Sequence, residues 1–451
     1  MPLRLLSSCA VVFVAAIVPA RSADGLRVSP SDVVLDRPEA SQQLLVSHTS
    51  NANADLTRAV TYESAHPDIA SVTASGRVLP VTEGQTQIII RDKSHDDNTI
   101  SVPVTVRGLV EPAPLSFHND VIPILSKSGC NSGGCHGKAE GQNGFKLSIF
   151  GFDPLTDHEA LIFEGRGRRV SVSSPEASLL LRKGIALMPH GGGAKIPRDG
   201  LWHRRLLRWI QEGARRDQPG SHGISRIEVE PQQVTMSPTA TQQLRVTAVD
   251  QAGVRRCVTI ESEYHSNAEP IATADRDGLI RVSGIPGEAA ILVRYMGHVG
   301  VCRVTLPQSD LDFTRPPENN FVDRHAWNKL DRLRIQPSEP AGDGMFLRRV
   351  YLDTIGTLPT VAEARAFLDD ADLEKRAKLI DRLLERDEYA DYHAIRWADI
   401  LRVDKDRVTP QGAVAMTRWL RRQFKENTPY DRFVRDIITA RGNTLAEGAA
   451  A

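Results

Sequence analysis

The chain carries no net charge: its 56 Lys and Arg residues balance its 56 Asp and Glu residues. That balance speaks against a nucleic-acid binder, which presents one broad basic field. Beyond its first residues the chain also lacks any apolar run long enough to span a bilayer. There is no nucleophile elbow, no zinc-protease helix and no phosphate-binding loop, so no proton-transfer or nucleophile constellation marks an enzyme. Aromatic residues are scarce, at 5%, whereas 33 glycines and 27 prolines break the sequence into short segments. A length of 451 residues with this composition implies several domains rather than one core, as in a modular exported protein.

The N-terminus sets the compartment. Met1 to Arg4 is positively charged, Leu5 to Val18 is mostly apolar, and Pro19-Ala20-Arg21-Ser22-Ala23 supplies small residues for cleavage after Ala20, Ser22 or Ala23. The run is too short and wrongly flanked to span a membrane, so residues 1–23 read as an export signal. Leu6-Ser7-Ser8-Cys9 loosely fits a lipoprotein box, but Cys9 comes ahead of the apolar core instead of after it, which argues against lipidation. The expected location is periplasmic or the cell surface, with no membrane span after signal removal.

Two segments, 24–110 and 221–308, read as short strands. Alternation is visible in Thr86-Gln87-Ile88-Ile89-Ile90 and in Ser101-Val102-Pro103-Val104-Thr105-Val106, with turn residues such as Ser75-Gly76 between strands. The two segments repeat each other. Pro30, Val33, Gln42-Gln43-Leu44 and Val46 recur as Pro231, Val234, Gln242-Gln243-Leu244 and Val246. Likewise Ile69-Ala70, Gly76, Val78, Gly84 and Ile88 recur as Ile271-Ala272, Gly278, Ile280, Gly287 and Ile291. Both copies resemble bacterial Ig-like domains of group 2, a type found in surface adhesins. The resemblance implies antiparallel sandwiches that act as spacers or contact a surface polysaccharide or protein. Cys257 and Cys302 both lie in the second copy, and a disulfide between them would contribute ~3–4 kcal/mol if geometry allowed it.

Residues 111–220 differ in character. Cys130-Asn-Ser-Gly-Gly-Cys135-His136 places a histidine directly after two cysteines, the arrangement that attaches haem c. Cys130 and Cys135 are the expected covalent attachment points and His136 the proximal iron ligand. The spacer has four residues instead of the usual two, and its glycines can take the backbone angles that an enlarged loop needs. Spacing alone leaves two competitors: a Cys130–Cys135 disulfide, and a zinc site completed by a residue such as His190. Met188 before Pro189 is the expected distal ligand, with His190 as the alternative and an open or water-filled sixth position as the third outcome, which would point to ligand binding or peroxidase-like chemistry. Arg166, Arg168 and Arg169 crowd a Gly-rich loop and suit haem propionates, though such a run also fits a solvated face. Helical spacing places Phe117, Val121, Ile124 and Leu125 on one face, with Ser116 or Asn119 as cap and Pro123 in the first turn. From Leu201 to Ala214 a second helix has Leu206, Trp209, Ile210 and Gly213 on one face, with Arg204, Arg205, Arg208 and Arg215 off it.

These motifs in order resemble the planctomycete cytochrome c domain: Phe117 to Leu125, Gly129 to Gly137, Gly144 to Gly151, Met188 to Gly193, and Leu207 to Ala214. The widened spacer with Asn131 after the first cysteine is a habit of that group. The resemblance implies covalent haem c, iron as the metal, single-electron transfer with a redox protein partner, and two terminal helices packed beside the haem as in class I cytochromes c.

After a linker at 309–320, residues 321–451 are helical and dense in charge. Lys375 to Leu384 segregates apolar and charged faces. Trp397 to Arg402 and Pro429 to Val434 resemble the helical domain of unknown function that accompanies planctomycete cytochrome c domains. Asp353, Asp381, His393, Arg396 and Asp399 could build a polar pocket, but helix-surface ion pairs explain them better, and no catalytic residue is assigned. The Ala-rich end, Ala446 to Ala451, reads as a truncated terminus. The expected fold is therefore multidomain: two all-β Ig-like sandwiches, one mainly α cytochrome c-like domain and one all-α C-terminal domain. The expected function is that of an exported c-type electron carrier. The alternative is a non-redox adhesion or structural protein with a Cys130–Cys135 disulfide.

Overall fold

In the strand Thr99–Val106, Val102, Val104 and Val106 are buried while Thr99, Ser101 and Pro103 face outward, so the period-two pattern becomes a one-sided sheet. The structure, a computed structural model, describes residues 25–49, 54–93, 98–217, 223–308, 312–443 and 448–450. The expected export signal, Cys9 and most of the Ala-rich end lie outside the described residues. The chain divides into two compact units, Met1–Gln336 and Pro337–Ala451.

Within the first unit, Thr99–Val106 is a central strand of a four-stranded sheet ordered Val33–Leu35, Thr99–Val106, Gly84–Asp92, Val60–Ser64. Its first pairing is parallel and the others antiparallel. Gln42–Gln43, Arg77–Pro80 and Ala70–Val72 form a second sheet, and Leu26–Ser29 pairs with Leu45–His48. All share a core that includes Leu44, Val46, Val78, Ile88 and Ile90. The second copy repeats this order with Gln233–Thr235, His298–Leu306, Gly287–Tyr295 and Glu263–Ser266, and again with Thr241–Gln243, Leu279–Val282 and Ala272–Ala274.

The repeat extends to single hydrogen bonds. Gln43 Nε2 donates to Leu44 O and Ser75 O, and Gln243 Nε2 donates to Leu244 O and Asp277 O. Tyr62 Oη donates to Thr57 O, and Tyr264 Oη to Thr259 O. Beside them Gly76 and Gly278 have φ of 75° and 80°, and a Cβ there would lie 2.6 and 2.7 Å from the tyrosine hydroxyls. Glycine is therefore required at both turns by conformation and by space.

Equivalent edges of the two sandwiches also meet. Gln243 N donates to Asp55 Oδ2 at 2.6 Å, and Gln43 N donates to Cys257 Sγ at 3.4 Å. Asp55 and Cys257 each stand two residues before the matching Thr57 and Thr259, so the contact has an internal two-fold character. The Cys257–Cys302 disulfide that the sequence left open is not formed. Cys257 Sγ faces the first sandwich, Cys302 is buried in the second core, and both thiols are free. Denaturation without reductant followed by iodoacetamide should label both residues. Recovery of the two as one linked peptide pair would contradict this arrangement.

The segment between the sandwiches begins with a wide helical turn, Phe117–Val121, which runs into α1, Ile122–Lys127. Ser116 Oγ caps it by accepting from Asn119 N, and Pro123 lies in the first turn of α1. Three further helices follow: α2, Pro154–Ile162; α3, Leu179–Gly184; and α4, Leu201–Gln211. Phe117 packs against Trp209 of α4 with ring centroids 5.3 Å apart, and Leu206 and Ile210 fill the same core.

Arg205 departs from the expected pattern. It is only 2% exposed, although the apolar face of α4 excludes it. Both sandwiches cover this second side of the helix. Arg205 Nη2 donates to Glu39 O and to Glu261 Oε1, and Arg208 Nη1 donates to the Glu39 carboxylate at 2.8 Å. Asp120 completes the junction, accepting from Arg37 of the first sandwich and Arg256 of the second.

Residues 312–320 carry no helix or strand, and the helix Phe321–Leu333 belongs with the first unit, where Lys329 and Arg332 pair with Glu288. The second unit is helical throughout. Thr360 and Glu363 cap Val361–Leu368 reciprocally, a box legible as Thr-x-x-Glu. Leu347, Tyr351, Phe367 and Leu383 form one core cluster, and Met416, Trp419, Leu420 and Phe433 another. Asp353, Asp381, Arg396 and Asp399 are exposed, while His393 rests among Tyr389, Tyr392 and Phe424. Among the described residues, no helix is long and apolar enough to cross a membrane.

Candidate functional site

The loop that follows α1 is held by its own backbone. Cys130 N donates to Leu125 O, Cys135 N to Ser132 O, and His136 N back to Cys130 O at 3.0 Å. Ser132 Oγ donates to Gly129 O, and Asn131 Nδ2 to Ser126 Oγ. The four-residue spacer thus closes on itself and presents both thiols and His136 from one compact turn. Gly137 is needed where the loop folds over: a Cβ there would lie 2.2 Å from Asn131 O. Gly137→Ala should therefore lower stability by about 1–3 kcal/mol and displace the thiols. A thermal melt and thiol-accessibility rates would check this, and an unchanged protein would contradict the tight closure.

Cys130, Cys135 and His136 line a cavity of about 420 Å³, the size of a small-molecule or cofactor site. Leu125, Phe145, Leu147, Leu161 and Ile196 supply apolar walls, and Arg168, Arg169, Lys183 and Lys195 supply positive charge. His190 also lines it; Met188, the expected distal group, does not. The imidazoles of His136 and His190 are parallel within 5°, with centroids 6.3 Å apart.

Each ring is anchored through the same nitrogen. His136 Nδ1 lies 3.0 Å from Phe145 O, and His190 Nδ1 lies 3.2 Å from Gly193 O. A carbonyl offers only lone pairs, so each Nδ1 donates its proton there, which leaves Nε2 as the nitrogen that can bind a metal. Carbonyl-anchored imidazoles are the usual metal-binding arrangement. Burial pushes the His136 pKa below its ordinary value and the nearby His190, Arg169 and Lys183 charges push it the same way, against the bond to Phe145. The ring is thus neutral at pH 7, as a ligand must be. Burial, with the neighbouring Cys135 adding to it, pushes the Cys130 thiol up to about 11, so it stays protonated.

Cys130 and Cys135 are free thiols in this structure, not the disulfide of the alternative reading. The zinc alternative fails on grouping: among the described residues no three His, Cys, Asp or Glu side chains converge on a metal position. A porphyrin iron does not need such a group, because the macrocycle already supplies four nitrogens. The two carbonyl-anchored imidazoles and the paired thiols on one cavity fit haem.

The arginines divide. Arg166 is exposed and does not line the cavity. Arg169 is committed elsewhere: it donates to Ala160 O and Gly144 O and covers the Phe145 ring at 4.4 Å. Lys183 Nζ reaches Pro189 O at 3.4 Å, which leaves Arg168 and Lys195 to face a carboxylate-bearing cofactor. The two lysines were not legible in the sequence, because charges on a short helix or loop look like a solvated face.

Residues 321–450 match the family described as PSCyt2, a protein of unknown function (DUF1549), and residues 22–102 match the bacterial Ig-like domain (group 2), Big_2. No curated protein matches the chain. Among solved structures, the S-layer protein SbsC domains 5–6 is 14% identical, covers 63% of this chain and 96% of its own, and has a TM-score of 0.25. The longer S-layer protein rSbsC(31-844) is 12% identical over 64% of this chain, with a TM-score of 0.18, and this chain spans 28% of its length. FdeC, an Escherichia coli adhesin, is 10% identical over 64% of each chain, with a TM-score of 0.15. At these TM-scores the likenesses add nothing to the architecture described above.

Proposed function

We propose that the module between the sandwiches holds a covalently attached haem c and passes single electrons outside the cytoplasm. The observation that carries this reading is the cavity on which two thiols and two carbonyl-anchored histidines converge. Haem bound there supplies a one-electron couple that needs no general acid or base. Cys130 and Cys135 would hold the haem through thioethers, each formed by addition of S–H across a vinyl C=C with no change of oxidation state. His136 would offer Nε2 to the iron, its basicity raised by the Nδ1–H bond to Phe145 O. Arg168 and Lys195 would face the propionates, and the apolar walls would exclude water. The sandwiches fix the module in place through the Asp120 and Arg205 contacts, and a redox protein is the partner. Export agrees with the N-terminal sequence and with the chemistry, since bacterial haem c attachment happens beyond the cytoplasmic membrane.

A second reading follows from the Ig-like match at residues 22–102: a non-redox surface protein in which the middle segment is a spacer and Cys130 and Cys135 form a disulfide. One experiment separates the two. The full chain, expressed for export in a host with haem c maturation machinery, is denatured and extracted, and its pyridine haemochrome spectrum is recorded. A haem c band retained on the polypeptide supports the electron carrier. Its absence, with a control cytochrome maturing normally, favours the surface protein.

A further inference from the structure

We propose that His190, not Met188, is the second axial ligand of the haem iron, opposite His136; this rests on the haem reading above. His190 lines the cavity and Met188 does not. Its ring stands parallel to that of His136 within 5°, with centroids 6.3 Å apart, and both rings line the same cavity.

The surrounding loop is built to hold the ring there. Its two ends are tied to α3: Met188 N donates to Arg182 O, and Lys195 N donates to Gly184 O at 2.8 Å. Lys183 Nζ reaches Pro189 O at 3.4 Å, directly before the histidine. Gly193 N donates to His190 O while Gly193 O faces Nδ1, so one residue closes the turn and orients the ring. That turn needs the left-handed backbone of Gly193, with φ of 69°, and a Cβ at Gly192 would lie 3.0 Å from His190 Cε1. The glycine run after His190 therefore clears and shapes the space of an imidazole. The first of the two anchoring ties uses the backbone of Met188 itself and leaves its side chain outside the cavity wall.

Two imidazoles give a lower reduction potential than an imidazole with a thioether, and they leave no open iron position. The centre is then an electron carrier rather than a site for binding or activating a small oxidant.

The test uses full-length protein carrying covalent haem. The ferric form should be low-spin and show no thioether-to-iron charge-transfer band. Its electron paramagnetic resonance spectrum should be rhombic, as parallel imidazole planes require, and Met188→Leu should leave both spectra unchanged. His190→Ala should become high-spin and return to low-spin on adding imidazole, and His190→Met should raise the potential. A charge-transfer band in the wild type that Met188→Leu removes would overturn the proposal while leaving the haem reading standing, and so would a high-spin ferric wild type. If no covalent haem forms, the haem reading fails and this proposal falls with it. Should His190→Ala not fold, the wild-type and Met188→Leu spectra decide alone.

Discussion

Replacing Cys130 and Cys135 together with alanine is expected to abolish covalent haem completely. On the haem reading each thiol supplies one thioether, and among the described residues no other cysteine lines the cavity, since Cys257 and Cys302 are buried in the second sandwich. Either single variant should keep one attachment, so haem would still travel with the polypeptide through denaturation and extraction. The double variant should release all of it. His136→Ala separates attachment from ligation: both thioethers remain possible, but the proximal nitrogen is gone, and the iron spectrum changes while the covalent band persists. The readouts are the haemochrome after extraction and the intact mass of the polypeptide. Retention of covalent haem by the double variant would remove the basis of the functional reading. The substitutions should cost little stability, because both side chains are only partly buried on the cavity wall.

The sandwiches were legible because their signals are local and doubled. Gly76 and Gly278, or Gln43 and Gln243, recur at matching places since each makes the same turn and the same backbone bonds. The apolar stripe of α4 was equally plain, and Leu206, Trp209 and Ile210 are buried as it implies. What sequence periodicity cannot carry is a second buried side. Arg205 lies off the stripe, and only the approach of Glu39 and Glu261 from distant segments makes it an interior residue. The same holds for Cys257. Its place near an early strand suggested a partner across its own sandwich, whereas its thiol takes the position that Asp55 holds in the first copy. In the cavity, the Cys-His motif supplies one wall. The opposite wall depended on which residue of Met188-Pro189-His190 a tethered loop turns inward, and that is set by hydrogen bonds to α3 that leave no periodic trace.

Asp120→Asn is expected to produce the largest loss of stability in the first unit, about 3–5 kcal/mol. Asp120 is 3% exposed and accepts from Arg256 Nη1 at 2.8 Å, Arg37 Nη1 at 3.3 Å and Ser116 N at 2.9 Å. Removing its charge strands guanidiniums from both sandwiches around a neutral amide. By contrast, Arg91 pairs with Glu63 at 2.5 Å on the surface, and Arg91→Ala should cost less than about 1 kcal/mol. Distance does not separate the two cases; burial does. The pH dependence carries the same signature. Burial alone would raise the Asp120 pKa, but Arg256, Arg37 and Arg205 outweigh it and hold the carboxyl below its ordinary 3.8. A folded-state pKa below the unfolded one means the contribution is complete above that ordinary value and is lost as pH falls through the lowered one. Urea denaturation of the full chain at pH 7 and in the acid range below 4 should therefore show the wild type and Asp120→Asn far apart at neutrality and converging in acid. Limited proteolysis should cut Asp120→Asn earlier at the junction between the sandwiches and the segment they bracket. Equal denaturation midpoints at pH 7 would mean that the three modules are held together by packing alone, with the arginine cluster adding nothing.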